Sequence, residues 1–403
     1  MKKTLNDLSV FGGSPMFLEM LHVGRPNLGN RERLLERISR ILDQRWFTNH
    51  GAYVQELELK IAEMINVKHC IAVCNGTVGL EIAIRAVGLQ GEVIVPSFTF
   101  IATAHCLTWQ GVTPVFCDID PRTHNIDPHC AEQLITSRTS GIIGVHLWGR
   151  PCDVESLEKV ASKYKLKLLF DAAHALSCSY KGEMIGSFGN AEVFSFHATK
   201  FFNTFEGGAV VTNNDDLAAK IRLMKNFGFQ GHDNVVSIGT NGKMSEVSAA
   251  MGLTELESLD DYIDVNYHNF KQYKKELTDI PGVSVISYDD GERCNYQWVV
   301  VEMDEKELRI SRDNLIKILH AENILARRYF YPGCHQMEPY RSNYPNNREH
   351  LPNTEVISKR VISLPTGTAV GEKEITQICH ILRLVFNNSS EVSERLTCNG
   401  QKN

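Results

Sequence analysis

The sequence predicts an α/β fold: a large domain on a mainly parallel seven-stranded sheet, followed by a smaller C-terminal α/β domain. Three observations carry this. Seven short apolar runs recur between residues 69 and 213. Segments of helical periodicity separate them. Near Met244 the alternation gives way to a long helical stretch. A parallel strand pair needs a crossover connection, usually a helix, so strand–helix alternation is the signature of a parallel sheet.

Residues 1–30 read as an N-terminal arm, turn-rich at VFGGSP and VGRPN. From Glu32 to Arg45 the apolar spacing is helical. The strand candidates then follow: HCIAVC (69–74), EVIVPS (92–97), TPVFCDI (113–119), GIIGVHL (141–147), LKLLFD (166–171), AEVFSF (191–196) and GAVVTN (208–213). Several are apolar on both faces, as strands covered by helices on two sides should be. The intervening VGLEIAIRAVGL and VESLEKVASKYK have helical periodicity. These elements make residues 31–255 the large domain. The stretch from SEVSAAM to YKKEL reads as one long helix or two joined ones. VSVISY, YQWVVVEM, NLIKILHAEN, LARRYFY and EITQICHILRLVF then supply a smaller domain over residues 256–386. Residues 387–403 form a polar tail expected to fray.

Composition narrows the function classes. The chain has 403 residues, 43% hydrophobic, with net charge −6. Charges are dispersed and no basic run occurs, which gives nucleic-acid binding no support. Eleven cysteines, an odd number without a CxxC pair, fit reduced thiols in a cytoplasmic protein. The start, MKKTLNDLSVFGG, lacks the apolar core of a signal peptide. No run of about 18 apolar residues exists, so no membrane span is expected.

Four strand ends carry candidate chemistry. Lys200 follows the strand ending near Phe196, where ligands bind in open α/β sheets. Most lysines in such places are simply exposed. Asp171 closes a strongly apolar strand, and a buried carboxylate needs a partner such as a pyridinium nitrogen. A helix cap explains it about as well. The turn Asn75-Gly76-Thr77 runs from a strand into a helix. Its free N–H groups and the Thr77 hydroxyl could seat a phosphate. It matches neither a Walker motif nor GxGxxG. Phe98 and Phe100 follow a fourth strand, where an aromatic could stack on a planar ring or simply pack in the core. Ser195 adds a hydroxyl near the lysine. A phosphate seat, an aromatic face, a carboxylate and a lysine together are what a pyridoxal 5′-phosphate site requires.

These residues resemble a known family. CNGT, VIVPSFTFIAT, DIDPRT, FDAAHA, VFSFHATK, FEGGAVVT, TNGKMSEVSAA and SLPTGTA are similar to the motifs of the DegT/DnrJ/EryC1/StrS sugar aminotransferases, from about Asp7 to Phe386. The resemblance implies the pyridoxal-phosphate-dependent transferase fold of type I, as in aspartate aminotransferase. It also implies roles. Lys200 corresponds to the lysine that binds the cofactor as a Schiff base, Asp171 to the partner of the pyridine nitrogen, and His174 to the neighbour of the phenolic oxygen. Phe100, rather than Phe98, corresponds to the stacking aromatic. Gly76, Thr77 and Ser195 correspond to phosphate ligands, and Asn241 to a phosphate contact from a second subunit, which implies a homodimer with shared active sites. Within the family, NDLSVFGG, VGRPN, GVHLWGRPCD, NFGFQ and YPGCHQMEPY are similar to the transaminases that carry an amino group from L-glutamate to C4 of dTDP-4-keto-6-deoxy-D-glucose. A dehydratase branch has histidine in place of the lysine, and Lys200 argues against it.

Other readings remain at this point. Asp118 and Asp120 match the DxD of metal-dependent glycosyltransferases, although a strand end running into a turn explains them better, and no metal is expected. His146, Trp148 and Tyr331 are candidate sugar contacts, with core packing nearly as good an account for the first two. A sugar-nucleotide-binding regulatory protein on the same fold stays open, because fold alone does not imply activity. The residues themselves leave amination at C3 or C4 undecided.

Overall fold

The computed structural model describes residues 1–343 and 351–400. All seven strand candidates form one sheet. In chain order they are β1 (His69–Val73), β2 (Glu92–Pro96), β3 (Thr113–Cys117), β4 (Thr139–Val145), β5 (Lys167–Asp171), β6 (Ala191–Ser195) and β7 (Gly208–Thr212). Their spatial order is β1-β7-β6-β5-β4-β2-β3. Only β7 runs antiparallel to its neighbours. The period of two sorts side chains between two cores. Ile71, Val73, Val193 and Val210 face one side with the Gly76–Val87 helix. Cys70, Ala72, Phe194 and Val211 face the other, with Leu57 and Ile61 of the Ala52–Ile65 helix.

The long helical stretch is two helices, Glu246–Leu256 and Leu259–Leu277. After them comes a second sheet of three antiparallel strands: β8 (Val283–Val285), β9 (Val299–Met303) and β10 (Val361–Leu364). β10 was not among the expected strands; its four residues are wholly buried and therefore show no alternation. Of LARRYFY, only Leu325 belongs to a strand, in a two-residue pairing with Leu21–His22.

The N-terminal arm is docked. Leu5, Leu8 and Phe17 enter the core of the second sheet. Glu322 accepts the Ser9 and Met16 N–H groups at 2.6 and 2.7 Å and pairs with Lys2 at 3.0 Å. The C-terminal tail corrects the expectation of fraying. Ser389–Gly400 is a helix, because Val392 is buried in the same core and the Ser393 hydroxyl reaches the Arg309 carbonyl at 3.0 Å. Residues 401–403 lie outside the described residues.

Candidate active site

The catalytic candidates meet because strand register brings them together. Gly208 pairs with Val73 on one side and Ser195 on the other. The start of the Gly76–Val87 helix therefore stands beside Ser195. A Cβ at Gly76 would lie 2.9 Å from the Ser195 Cβ, so only glycine allows this approach. Asn75 caps the helix by accepting the Val78 N–H at 2.8 Å, and its carbonyl accepts the Gly79 N–H at 3.0 Å. The N–H groups of Gly76 and Thr77 are left for a ligand, at the positive end of a 12-residue helix.

Asp171 ends β5 at the centre of the same edge. Thr103 donates to its Oδ2 at 2.9 Å and the Ala173 N–H to its Oδ1 at 3.1 Å. Burial pushes the carboxyl above its ordinary value, against the pull of those two donors and of the Lys200 and His146 charges. Among the described residues no ion pair reaches it. Lys200 lies in the loop after β6. Its amine is enclosed by the cleft, 5.8 Å from the ring centre of Trp298. Burial lowers its pKa to about 8, while Asp171 pulls the other way. At neutral pH this raises the neutral, nucleophilic fraction well above that of a free lysine. His174 is buried, and its Nδ1 accepts the Trp148 backbone N–H at 3.2 Å. That bond leaves the ring proton on Nε2. Burial first, and Lys200 second, push its imidazolium well below the ordinary range.

These groups line one cleft of about 560 Å³, which also takes in Phe100, Trp298, Tyr329 and Phe330. Its volume suits a cofactor or small ligand. Phe100 is 56% exposed there, whereas Phe98 is 1% exposed and packs edge-on against His124, Trp148 and Phe330. Trp298 and the His197–Glu206 pair at 3.5 Å also line it, and Thr103 backs Asp171 from behind; sequence reading missed all four. Trp298 precedes a buried strand and looks like core in the sequence; Thr103 sits in an ordinary helix.

None of the three substrate candidates lines the cleft itself, and Tyr331 stands beside it. His146 is outside the cleft: it is fully buried, stacks on Phe170 at 4.7 Å, and spends both ring nitrogens on Glu192 and the Cys152 N–H. Trp148 is also fully buried, its indole donating to His124 at 3.3 Å. Its ring stacks on that of His174 with centroids 6.0 Å apart. Tyr331 lies in an adjoining groove of about 380 Å³, with the Arg312 and Arg328 guanidinium groups 5.0 and 5.1 Å from its ring centre. Asn241 is exposed and does not line the cleft of its own chain; its carbonyl lies 4.0 Å from Cys74 Sγ, and its Oδ1 accepts from Lys243 at 2.6 Å. The DxD carboxylates are caps. Asp118 accepts the N–H groups of Asn353 and Thr354 at 3.0 and 2.8 Å, starting the Pro352–Arg360 helix. Asp120 accepts those of Arg122 and Thr123 in its own turn.

A lysine, a carboxylate and a helix N-terminus converging on the carboxyl edge of this sheet define an α/β enzyme of fold type I. Comparison with known proteins gives the narrower statement. The chain belongs to the DegT/DnrJ/EryC1/StrS aminotransferase family, whose profile matches residues 29–383, and it is a sugar aminotransferase. It is 38% identical to the dTDP-4-amino-4,6-dideoxy-D-glucose transaminase of Shigella dysenteriae, over 90% of this chain and 98% of that one. It is 34% identical to the GDP-perosamine synthase of Caulobacter vibrioides, over 92% and 99%. The crystal structure of DesI in the presence of its TDP-sugar product superimposes with a TM-score of 0.94, at 49% identity, covering 98% of this chain and 100% of that one. No helix among the described residues is long and apolar enough to cross a membrane.

Proposed function

We propose that this transaminase uses pyridoxal 5′-phosphate to move an amino group from L-glutamate to C4 of dTDP-4-keto-6-deoxy-D-glucose. The products are dTDP-4-amino-4,6-dideoxy-D-glucose and 2-oxoglutarate, made in the cytoplasm for O-antigen or a related glycan. One observation carries the cofactor: the Lys200 amine shares a cleft with Asp171, a half-buried carboxylate at a strand end that makes no ion pair among the described residues. A protonated pyridine nitrogen is the partner such a carboxylate needs. The thymidine-linked substrate is favoured by the 38% identity to the Shigella enzyme.

Bound there, the cofactor would supply an electron sink conjugated to the reacting carbon. The residues would do the rest. Gly76, Thr77 and Ser195 would hold the phosphate, and Phe100 would cover a ring face. Asp171, steadied by Thr103, would keep the pyridine nitrogen protonated. His174 would donate from Nε2 to the phenolic oxygen. Lys200 would hold the cofactor at rest; freed by the incoming amine, it would take the proton from the α-carbon of glutamate. In the second half it would give a proton to C4 of the sugar. The face of the sugar that it meets would set the product's stereochemistry.

The test is a product assay. Glutamate and dTDP-4-keto-6-deoxyglucose should give 2-oxoglutarate and an equatorial C4 amine by NMR. An axial amine, amination at C3, or faster turnover of a GDP-linked keto sugar would refute the substrate assignment. Absence of any 2-oxoglutarate would refute the glutamate half-reaction.

A further inference from the structure

Three motifs far apart in sequence, VGRPN, KFFN and PTGT, meet beside Lys200, and the reaction above uses only the lysine. Asn27 donates from Nδ2 to the Phe201 carbonyl at 2.7 Å. In return, Asn203 donates to the Asn27 carbonyl at 3.0 Å and to Glu255 Oε2 at 3.2 Å. Glu255 Oε1 accepts the Gly29 N–H at 2.7 Å and the Tyr262 hydroxyl at 3.2 Å. The Thr368 hydroxyl donates to Asn27 Oδ1 at 2.6 Å. Asn27 is 4% exposed, and Asn203 and Glu255 are not exposed at all.

Buried amides and carboxylates are costly unless every group is paired, and a paired network admits one arrangement. This network therefore fixes the backbone just after Lys200. The arm also holds the backbone just before it: a Cβ at Gly24 would stand 2.6 Å from the Thr199 carbonyl oxygen. The segment Gly24–Gly29 thus grips the lysine loop at residues 199, 201 and 203. None of these arm residues lines the cleft.

We propose that Asn27 is a positioning residue: through the Phe201 carbonyl it sets where the Lys200 amine stands in the cleft. The proposal rests on Lys200 being the base that holds the cofactor. The N-terminal arm is then part of the catalytic apparatus, although none of its residues lines the cleft. Asn27→Asp is nearly isosteric but replaces the donor to Phe201 with an acceptor, so the two oxygens repel and the loop is released.

The experiment compares cofactor-loaded wild type with Asn27→Asp by three measurements: thermal melting, kcat and KM, and the midpoint of the pH titration of the visible absorption of the lysine-bound cofactor. The variant should keep bound cofactor and a KM for the sugar within about twofold. Its kcat should fall on the order of tenfold to a hundredfold, the effect of a small misplacement. The titration midpoint should move by about half a unit or more, since the amine's surroundings change. If Asn27→Asp does not fold, Asn27→Ser decides, because it removes the reach without adding charge. A folded variant that melts earlier but keeps the wild-type kcat and midpoint overturns the proposal and leaves the network as scaffolding. A wild-type protein with no such absorption overturns the cofactor reading itself, which is a distinct result.

Discussion

Lys200 is held in a condition that costs the fold stability and serves reactivity. Its pKa near 8 stands below the ordinary 10.5 because burial disfavours the charged amine. The unfolded chain therefore binds a proton below about pH 10.5 that the folded chain takes up only below about pH 8. The cost is fully present below pH 8 and vanishes as pH rises through 10.5. It amounts to at most about 3 kcal/mol. Urea unfolding of the cofactor-free protein should show stability rising between pH 8 and 10.5 relative to Lys200→Met. Parallel curves for the two proteins would remove the claim of a buried, depressed amine. The same variant should have no turnover and should lose the visible absorption of the lysine-bound cofactor. At this scale, legibility followed position. Lys200, Asp171 and Gly76 stand next to strand ends, and strand ends can be read from apolar runs. His146 and Trp148 also follow a strand end, yet they turn inward to Glu192 and His124. Glu192 lies 46 positions from His146, and no local pattern marks such a pairing. Trp298 reaches the cleft from just before β9, where an aromatic in a buried run reads as core.

Among the elements, the helix Gly76–Val87 does most to shape the proposed phosphate seat. It is packed against β1, β6 and β7 so closely that a Cβ at Gly79 would stand 3.0 Å from Val73 and 3.2 Å from Val193. Its N-terminus is thus held rigidly against Ser195. Gly76→Ala adds a methyl group 2.9 Å from the Ser195 Cβ and 3.2 Å from its hydroxyl. The helix must shift or the seat must close. The variant should melt within a few degrees of wild type, since one contact is worth about 1 kcal/mol. Its dissociation constant for pyridoxal phosphate, measured by absorbance titration, should rise at least about tenfold, as expected from losing one good charge-assisted bond. Unchanged affinity would mean that the phosphate is held elsewhere. The seven strands were all readable because each is an apolar run of ordinary strand length between helical segments. β10 was not, because four wholly buried residues carry no periodic signal. The tail helix was hidden differently: its single fully buried apolar residue, Val392, gives a polar segment an anchor that composition does not reveal.

For the whole molecule, the question is whether one chain makes a complete site. Asn241 is exposed and does not line the cleft of its own chain. In the loop bridged to it Phe227, Phe229, Val236 and Ile238 are 45%, 36%, 47% and 74% exposed. Clustered exposed apolar residues mark an interaction surface. Our reading that Asn241 meets the cofactor phosphate of a second copy explains both facts, with a two-fold axis relating two shared sites. Sedimentation should then give a dimer or a multiple of one. Complementation is the sharper test. Lys200→Ala lacks the base, and Asn241→Asp places a carboxylate against the phosphate, so each homodimer should be inactive or strongly impaired. When the two variants are unfolded together and refolded, half of the dimers should be mixed. In a mixed dimer one site combines Lys200 from one chain with Asn241 from the other and is intact, while its twin carries both defects. Activity should therefore return to about a quarter of wild type under random assortment. If each site were built from a single chain, refolding the two variants together would leave every site as it was in its own homodimer. Activity would then stay at the average of the two homodimers, and Asn241 would be an ordinary surface residue.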